Sequence, residues 1–253
     1  MRHLQGRVAT DQHPAGERGL AVAPPHLVDS RVDRKGFGLG EGQHQLLSAA
    51  AVDARHREAN QGQAALGDQR HGGRDELRDQ FAPMRILTGI EVDILDDGSL
   101  DQEPELLERL DVVVASVHSK LSMDSAAMTR RMVRAVSDGH ADVLGHCTGR
   151  LVAGNRGIRP ESKFDAEAVF TACRDHGTAV EINSRPERRD PPTRLLELAL
   201  EIGCVFSIDT DAHAPGQLDF LGYGAQRALD AGVPVDRIVN TWPAEKLLEW
   251  TGS

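Results

Sequence analysis

The sequence predicts an α/β fold in which helices cover a mainly parallel β-sheet. From residue 81 onward, short apolar runs rich in β-branched residues alternate with segments of helical periodicity. The apolar runs lack a polar face, as expected for strands buried between two layers of helices. Each run is also followed by a polar residue of a type that can bind metal. These three observations favour parallel βα units over an antiparallel sheet.

The elements follow from local patterns. Strands are expected over residues 85–94, 111–117, 141–144, 178–182 and 204–208, with a short extended piece at 237–239. Helices are expected over 104–110, 124–137, 165–176, 192–202, 221–231 and 243–250. Asp124 is a predicted N-cap, and Gly177 and Gly203 are predicted to end the two helices that precede them.

The first 78 residues have a different character. Residues 1–80 contain no Ile, Trp or Tyr and only one aromatic residue, Phe37. Their 11 acidic and 11 basic side chains balance, so the net charge of −10 belongs to the remainder of the chain. So few large apolar residues would not offset the entropy of ordering the segment. We therefore expect residues 1–78 to be irregular or disordered and residues 79–253 to form one domain.

The overall composition narrows the functional class. Of the 253 residues, 40% are hydrophobic, and the net charge of −10 argues against broad affinity for nucleic acid or membranes. No apolar run approaches the roughly 18 residues that a membrane helix needs. Three widely spaced cysteines favour a reducing, cytoplasmic environment over a disulfide framework. The sequence contains no signal for an oligomeric state.

Five consecutive strand ends carry side chains that suit a metal site. These residues are Glu91, His118, His146, Glu181 with Asn183, and Asp211 with His213. Functional groups gather at the carboxyl ends of strands in barrels and open α/β sheets. Imidazole and carboxylate ligands together suit Zn, Mn or Fe. A turn stabilised by Asp is the plain alternative for the 209–213 stretch taken alone.

Arginines follow two of these strand ends. They are Arg150, Arg156, Arg159, Arg185, Arg188 and Arg189. Solvated loop charge is one explanation of this cluster. Phosphate recognition through bidentate hydrogen bonds is the other, because the rest of the domain is acidic. The sequence does not decide between the two.

Several ordered motifs resemble the PHP (polymerase and histidinol phosphatase) superfamily. They are GIE at 89–91, SVHS at 116–119, LGHCTGR at 144–150, EINSRP at 181–186 and TDAH at 210–213. The resemblance covers residues 85–250, about two thirds of the chain. It is greatest to the PHP domain of bacterial family-X DNA polymerases and to stand-alone PHP phosphoesterases.

The resemblance implies a distorted (β/α)7 TIM-like barrel that hydrolyses phosphoesters with up to three divalent ions. It implies that Glu91 bridges two ions, that His118 and His146 complete one of them, and that Asp211 and His213 serve the others. Glu91, Asp211 and His213 are then the catalytic candidates. Phosphate-binding candidates are Arg150, Asn183 and Arg185. The substrate would be a small phosphorylated molecule or a nucleic-acid 3′ end.

The sequence departs from the family pattern at its beginning. The family opens with a strand carrying His-x-His and a second strand ending in Thr-Asp-His, and neither motif precedes Glu91. We therefore expect the first two βα units to be missing and fewer than three ions to bind. A phosphoesterase whose site is incomplete in this way is the leading interpretation. A non-catalytic metal-binding or polymerase-associated module is the alternative, and an amidohydrolase-like enzyme ranks lower because no strand end carries a bridging lysine.

Overall fold

A five-stranded parallel sheet forms the centre of the protein. The computed structural model describes residues 77–154 and 157–252. Its strands pair in sequence order, all in parallel. They are β1 (Gly89–Asp93), β2 (Val112–Ser116), β3 (Val143–Leu144), β4 (Ala179–Asn183) and β5 (Phe206–Asp209). The predicted parallel α/β fold is confirmed. Two predictions concern the N-terminal part of the chain: that the first two βα units are missing, and that residues 1–78 are irregular. Apart from residues 77 and 78, that part lies outside the described residues.

Six α-helices connect and cover the strands. They are α1 (Pro104–Leu107), α2 (Ser125–Val136), α3 (Ala166–His176), α4 (Thr193–Ile202), α5 (Leu221–Asp230) and α6 (Ala244–Thr251). The Asp124 side chain accepts a hydrogen bond from the Ala127 amide at 3.0 Å, as its predicted capping role requires. Gly177 and Gly203 end α3 and α4 in the left-handed conformation that glycine adopts readily. None of the described helices is long and apolar enough to cross a membrane.

The expected extended piece at 237–239 is replaced by two short 3-10 helices, Val235–Arg237 and Val239–Thr241. Only Ile238 keeps a strand-like bridge, to Phe206 of β5. The Asn240 side chain accepts a hydrogen bond from the Ile208 amide at 2.7 Å and donates one to the Ile208 carbonyl at 3.2 Å. The predicted extended piece was therefore wrong. The Asn240 side chain makes the two hydrogen bonds to β5 that the backbone of a sixth strand would otherwise make.

The main hydrophobic core lies between the sheet and helices α2 to α4. Its members are fully or almost fully buried and include Val92, Ala115, Met128, Met132, Leu144, Phe170, Ile182 and Leu196. A smaller cluster packs Val143 and Ala179 against Val239 and Trp242. Burial on both sides explains why the strand sequences show no alternation of polar and apolar residues.

A buried arginine joins the segments that follow β1 and β2. The Arg131 side chain, on α2, is fully buried and donates to the carbonyl oxygens of Ile94, Leu95 and Ser119. Backbone carbonyls in such loops have no strand partner, and a buried acceptor without a donor destabilises the folded state. Arg131 therefore fixes the chain just beyond the carboxyl ends of two strands.

Replacing Arg131 by Met is expected to lower the free energy of unfolding by about 2–4 kcal/mol, because the buried Ile94 carbonyl loses its donor and two further carbonyls lose a hydrogen bond. The matched control is Arg134→Met on the same helix. Arg134 is exposed and pairs with Asp97 at 3.1 Å, so its loss should cost under about 0.5 kcal/mol. Urea unfolding of both variants measures the difference. Equal stability of the two variants would show that Arg131 does not organise these loops.

Candidate metal centre

Three neighbouring strands deliver Glu91, His118 and His146 to one edge of the sheet. Glu91 lies in β1, whereas His118 and His146 each follow their strand by two residues. In the parallel register Glu91 lies opposite Val114 of β2. The pairing of β2 with β3 begins at this same residue, Val114. The carboxyl ends of the three strands are therefore side by side, as the sequence pattern predicts.

A glycine permits the close approach of the last two strand ends. A Cβ atom at Gly145 would clash with Ser116 Oγ and lie 3.0 Å from a Val114 methyl group. The Gly145 amide donates to the Ala115 carbonyl at 2.9 Å, which continues the pairing of β2 and β3. Absence of a side chain at 145 thus brings the backbone of His146 against β2.

The ligand atoms of the three side chains lie within metal-binding distance of one another. His118 Nε2 is 3.5 Å from Glu91 Oε1 and 3.1 Å from His146 Nε2. Glu91 Oε1 is 3.6 Å from His146 Nδ1. Two ligands on one tetrahedral zinc ion, each bound at 2.0–2.1 Å, are separated by roughly 3.3 Å. Among the described residues, this is the one group of three His, Cys, Asp or Glu side chains whose ligand atoms, one from each, all lie within 4.8 Å of one another.

The protonation states of Glu91 and His146 suit a cation. Burial would raise the pKa of Glu91, but the His118 hydrogen bond and the charges of His146 and His118 hold it at about 2. Burial, assisted by the charge of Arg188, lowers the pKa of His146 to about 4. Glu91 is therefore a carboxylate and His146 a neutral imidazole at neutral pH, the forms in which both side chains bind metal.

Two further carboxylates contact the histidines from outside the group. Asp93 is hydrogen-bonded to His118 Nδ1. Glu181 accepts a hydrogen bond from the His146 amide and lies 3.4 Å from its Nδ1 atom. The sequence analysis counted Glu181 among the strand-end side chains that suit a metal site without giving it a ligand role, and it gave Asp93 no role. Alternation along β1 is the signal that would have found Asp93, because residues 91 and 93 share a face.

The structure does not bring Asp211 and His213 into this group. Arg188 Nε donates to Asp211 Oδ2 at 2.9 Å. Arg185 Nη1 lies 2.9 Å from both His213 Nδ1 and the Asp211 carbonyl oxygen. These contacts occupy the side chain of Asp211 and one ring nitrogen of His213. The metal-binding roles expected for these two residues stay predictions.

The predicted phosphate-binding residues make contacts within the protein. Asn183 donates to Glu181 Oε1 at 2.9 Å and accepts from the Arg185 amide at 3.0 Å. Arg150 donates to two backbone carbonyls of the loop that follows β4. Arg188, which the sequence analysis grouped with other loop arginines, has a buried Nη1 atom without a hydrogen-bond partner among the described residues. Burial of this guanidinium depends on the loop path, for which the sequence holds no local signal.

Comparison with known proteins gives matches to polymerases and phosphatases. The chain is 34% identical over 166 residues to DNA polymerase/3'-5' exonuclease PolX of Bacillus subtilis (strain 168), which covers 66% of this chain and 28% of PolX. It is 28% identical over 175 residues to a probable phosphatase of Thermoanaerobacter sp. (strain X514), covering 65% of this chain and 67% of that protein. No family model matches the sequence.

Among solved structures, one match is histidinol phosphate phosphatase from Lactococcus lactis subsp. lactis Il1403, complexed with zinc, L-histidinol and phosphate. It has a TM-score of 0.45 and 17% identity, and covers 65% of this chain and 74% of that chain.

The parallel sheet and the side chains at its carboxyl edge define an α/β domain with a candidate metal site. The sequence matches confirm the predicted resemblance to the PHP superfamily. The matched segment is only 28% of the length of PolX. Similarity therefore extends to a domain of that polymerase and not to its whole length.

Without metal, Glu181 should make stability depend on pH. Burial raises its pKa to about 8, from about 4.5 in an unfolded chain. The folded state thus holds an extra proton between these values, and stability falls as pH rises from 5 to 8. Burial also raises the pKa of Asp209, to about 7, with the same sign. We expect Glu181→Gln to reduce this fall, measured by urea unfolding in EDTA at pH 5 and pH 8. An undiminished fall would contradict the assignment.

Proposed function

We propose that the PHP-type domain is a metal-dependent phosphoesterase whose ion is held by Glu91, His118 and His146. The observation that carries this proposal is the convergence of three side chains from three separate strands, whose ligand atoms all lie within 4.8 Å of one another. Three protein ligands with one position left open are typical of catalytic zinc, whereas closed structural sites have four. Exposure of 40% of the Glu91 side chain leaves an approach for substrate and water.

The donor set fits a divalent cation. Two imidazoles and one carboxylate suit Zn, Mn or Fe. The chemistry that such an ion supplies is a lowered pKa for water and neutralisation of charge on the phosphoryl group. The chain's own part is to hold the ligands in place: Asp93 contacts His118, and Glu181 contacts His146. We retain Asp211 and His213 as proposed ligands of further ions on the family pattern, with fewer than three ions in total.

Phosphate esters are the substrate class that the surroundings favour. Arg185 and Arg188 are buried beside Asp211, and the charge of Arg188 reaches His146. Positive charge next to a metal site suits an anionic phosphoryl group. The matched relatives are named as phosphatases and as a polymerase with exonuclease activity. We therefore propose a small phosphorylated molecule or a nucleic-acid end as substrate, within the cytoplasm.

A metal-binding module without catalysis is the second candidate. The observation that favours it is the position of Asp211 and His213, which contact arginines in the described part of the chain. A domain with one ion and no second one would bind metal and leave phosphoesters intact. Hydrolysis by the purified protein separates the two candidates.

Replacing Glu91 by Gln should lower bound metal and abolish phosphate release, because the carboxylate charge that offsets a divalent cation is lost while the side-chain size is kept. Parent and variant are loaded with Mn or Zn, analysed for metal content, and assayed with p-nitrophenyl phosphate. The parent is expected to release phosphate and to lose this activity in EDTA.

His176→Ala is the control for this experiment. His176 is exposed at the last position of α3, remote from the carboxyl edge of the sheet, so metal content and activity should stay within about 20% of the parent's. Equal metal content in the parent and Glu91→Gln would remove Glu91 from the site. Metal binding without hydrolysis by the parent would favour the second candidate.

A further inference from the structure

The two ring nitrogens of His118 have different partners. Nδ1 is hydrogen-bonded to the carboxylate of Asp93. Nε2 lies 3.5 Å from Glu91 Oε1 and 3.1 Å from His146 Nε2, so it faces the other two side chains of the candidate metal site. One nitrogen thus contacts a carboxylate outside the group, and the other lies inside it.

This arrangement selects one tautomer of the imidazole. An ionised carboxylate only accepts hydrogen bonds, and carboxylates lie near both ring nitrogens, but the Asp93 contact with Nδ1 is much shorter than the 3.5 Å between Nε2 and Glu91 Oε1. The one hydrogen of a neutral ring is therefore on Nδ1 and is donated to Asp93. Nε2 of a neutral ring is then left with its lone pair, and the lone pair is directed toward Glu91 and His146. A metal binds the unprotonated nitrogen, which makes Nε2 the ligand atom of His118.

Asp93 is itself held by the fold and not by a mobile loop. Its amide donates to Asp101 Oδ1 at 3.0 Å, and its carbonyl oxygen accepts from the Asp101 amide at 3.1 Å. The next residue, Ile94, donates to the Ser116 carbonyl at 2.8 Å, which ties the end of β1 to β2. The separation of Asp93 from His118 is therefore set by backbone pairing on both sides.

We propose that Asp93 is a positioning residue that fixes the His118 ring in the Nδ1–H tautomer and aims Nε2 at the ion. This inference rests on the metal site of the proposed function and adds a residue to it. Carboxylates in this position orient a ligand histidine and increase its basicity, and their loss weakens metal binding 10–100-fold.

The chain offers a matched control pair. His140 Nδ1 lies 2.9 Å from Asp138 Oδ2, the same kind of contact, but it precedes β3 and is at the opposite end of the sheet from the group. Asp138→Asn thus removes an equivalent carboxylate–histidine contact without affecting any ligand. Asp93→Asn keeps the size of its side chain, and its amide can donate or accept, so it no longer selects a tautomer.

The first test uses the metal-free full-length protein and nitrogen-15 NMR of the histidine rings. In the parent at a pH where His118 is neutral, the signals should show hydrogen on Nδ1 and none on Nε2. Asp93→Asn should give a mixture of tautomers, whereas Asp138→Asn should leave the His118 signals unchanged. A parent with hydrogen on Nε2 would overturn the inference, and this readout needs neither metal nor activity.

The second test is zinc affinity by competition with a chelator. Asp93→Asn should raise the zinc dissociation constant 10–100-fold, and Asp138→Asn should change it less than twofold. The visible spectrum of the cobalt-loaded protein should change in Asp93→Asn only, while the urea midpoints of all three proteins should agree. An unchanged zinc affinity and cobalt spectrum in Asp93→Asn, or a parent that binds no zinc, would overturn the inference. A parent that binds zinc tightly without hydrolysing phosphoesters would contradict the proposed function but not the role inferred for Asp93.

Discussion

Parallel pairing of the first three strands is the constraint on which the site depends. Backbone hydrogen bonds from Ile94 to Ser116, and from Gly145 to Ala115, hold adjacent strand ends at the same level. Parallel strands place all their carboxyl ends at one edge, so side chains far apart in sequence meet there. The convergence of the three ligand atoms within 4.8 Å follows from this register together with the absence of a side chain at Gly145. A slip of one residue in either pairing would move a ligand to the other face of the sheet.

Two carboxyl groups at the carboxyl edge of the sheet are buried, so that their ionisation destabilises the metal-free folded state. Burial raises the pKa of Glu181 to about 8 and that of Asp209 to about 7, and the charge of Glu181 adds to the rise at Asp209. Arg188 offsets part of this charge through Asp211. Groups whose ionisation opposes folding are concentrated at functional sites, because a bound cation reverses the effect. The same residues that lower stability in the metal-free protein thus favour a cation at this edge.

Much of the fold and the core of the site were predictable from local sequence. The apolar runs before Glu91, His118 and His146 identify strands, and the polar residue after each run identifies the functional edge. The contacts of Asp211 and His213 were not predictable in this way. They depend on Arg185 and Arg188 in the loop after β4, and the sequence has no periodic pattern that determines where a loop turns. The contacts of Asn240 were not predictable for a related reason. Its side chain makes the hydrogen bonds that a strand backbone would make, and a single side chain gives no periodic pattern in the sequence.

Location of the ion tests the central claim most directly. Crystals of the full-length protein grown with zinc, and measured at the zinc absorption edge, would show each ion as an anomalous difference peak. The account predicts a peak about 2.0–2.2 Å from His118 Nε2, from a ring nitrogen of His146 and from a carboxylate oxygen of Glu91. Zinc bound elsewhere in the chain, with none among these three side chains, would contradict it.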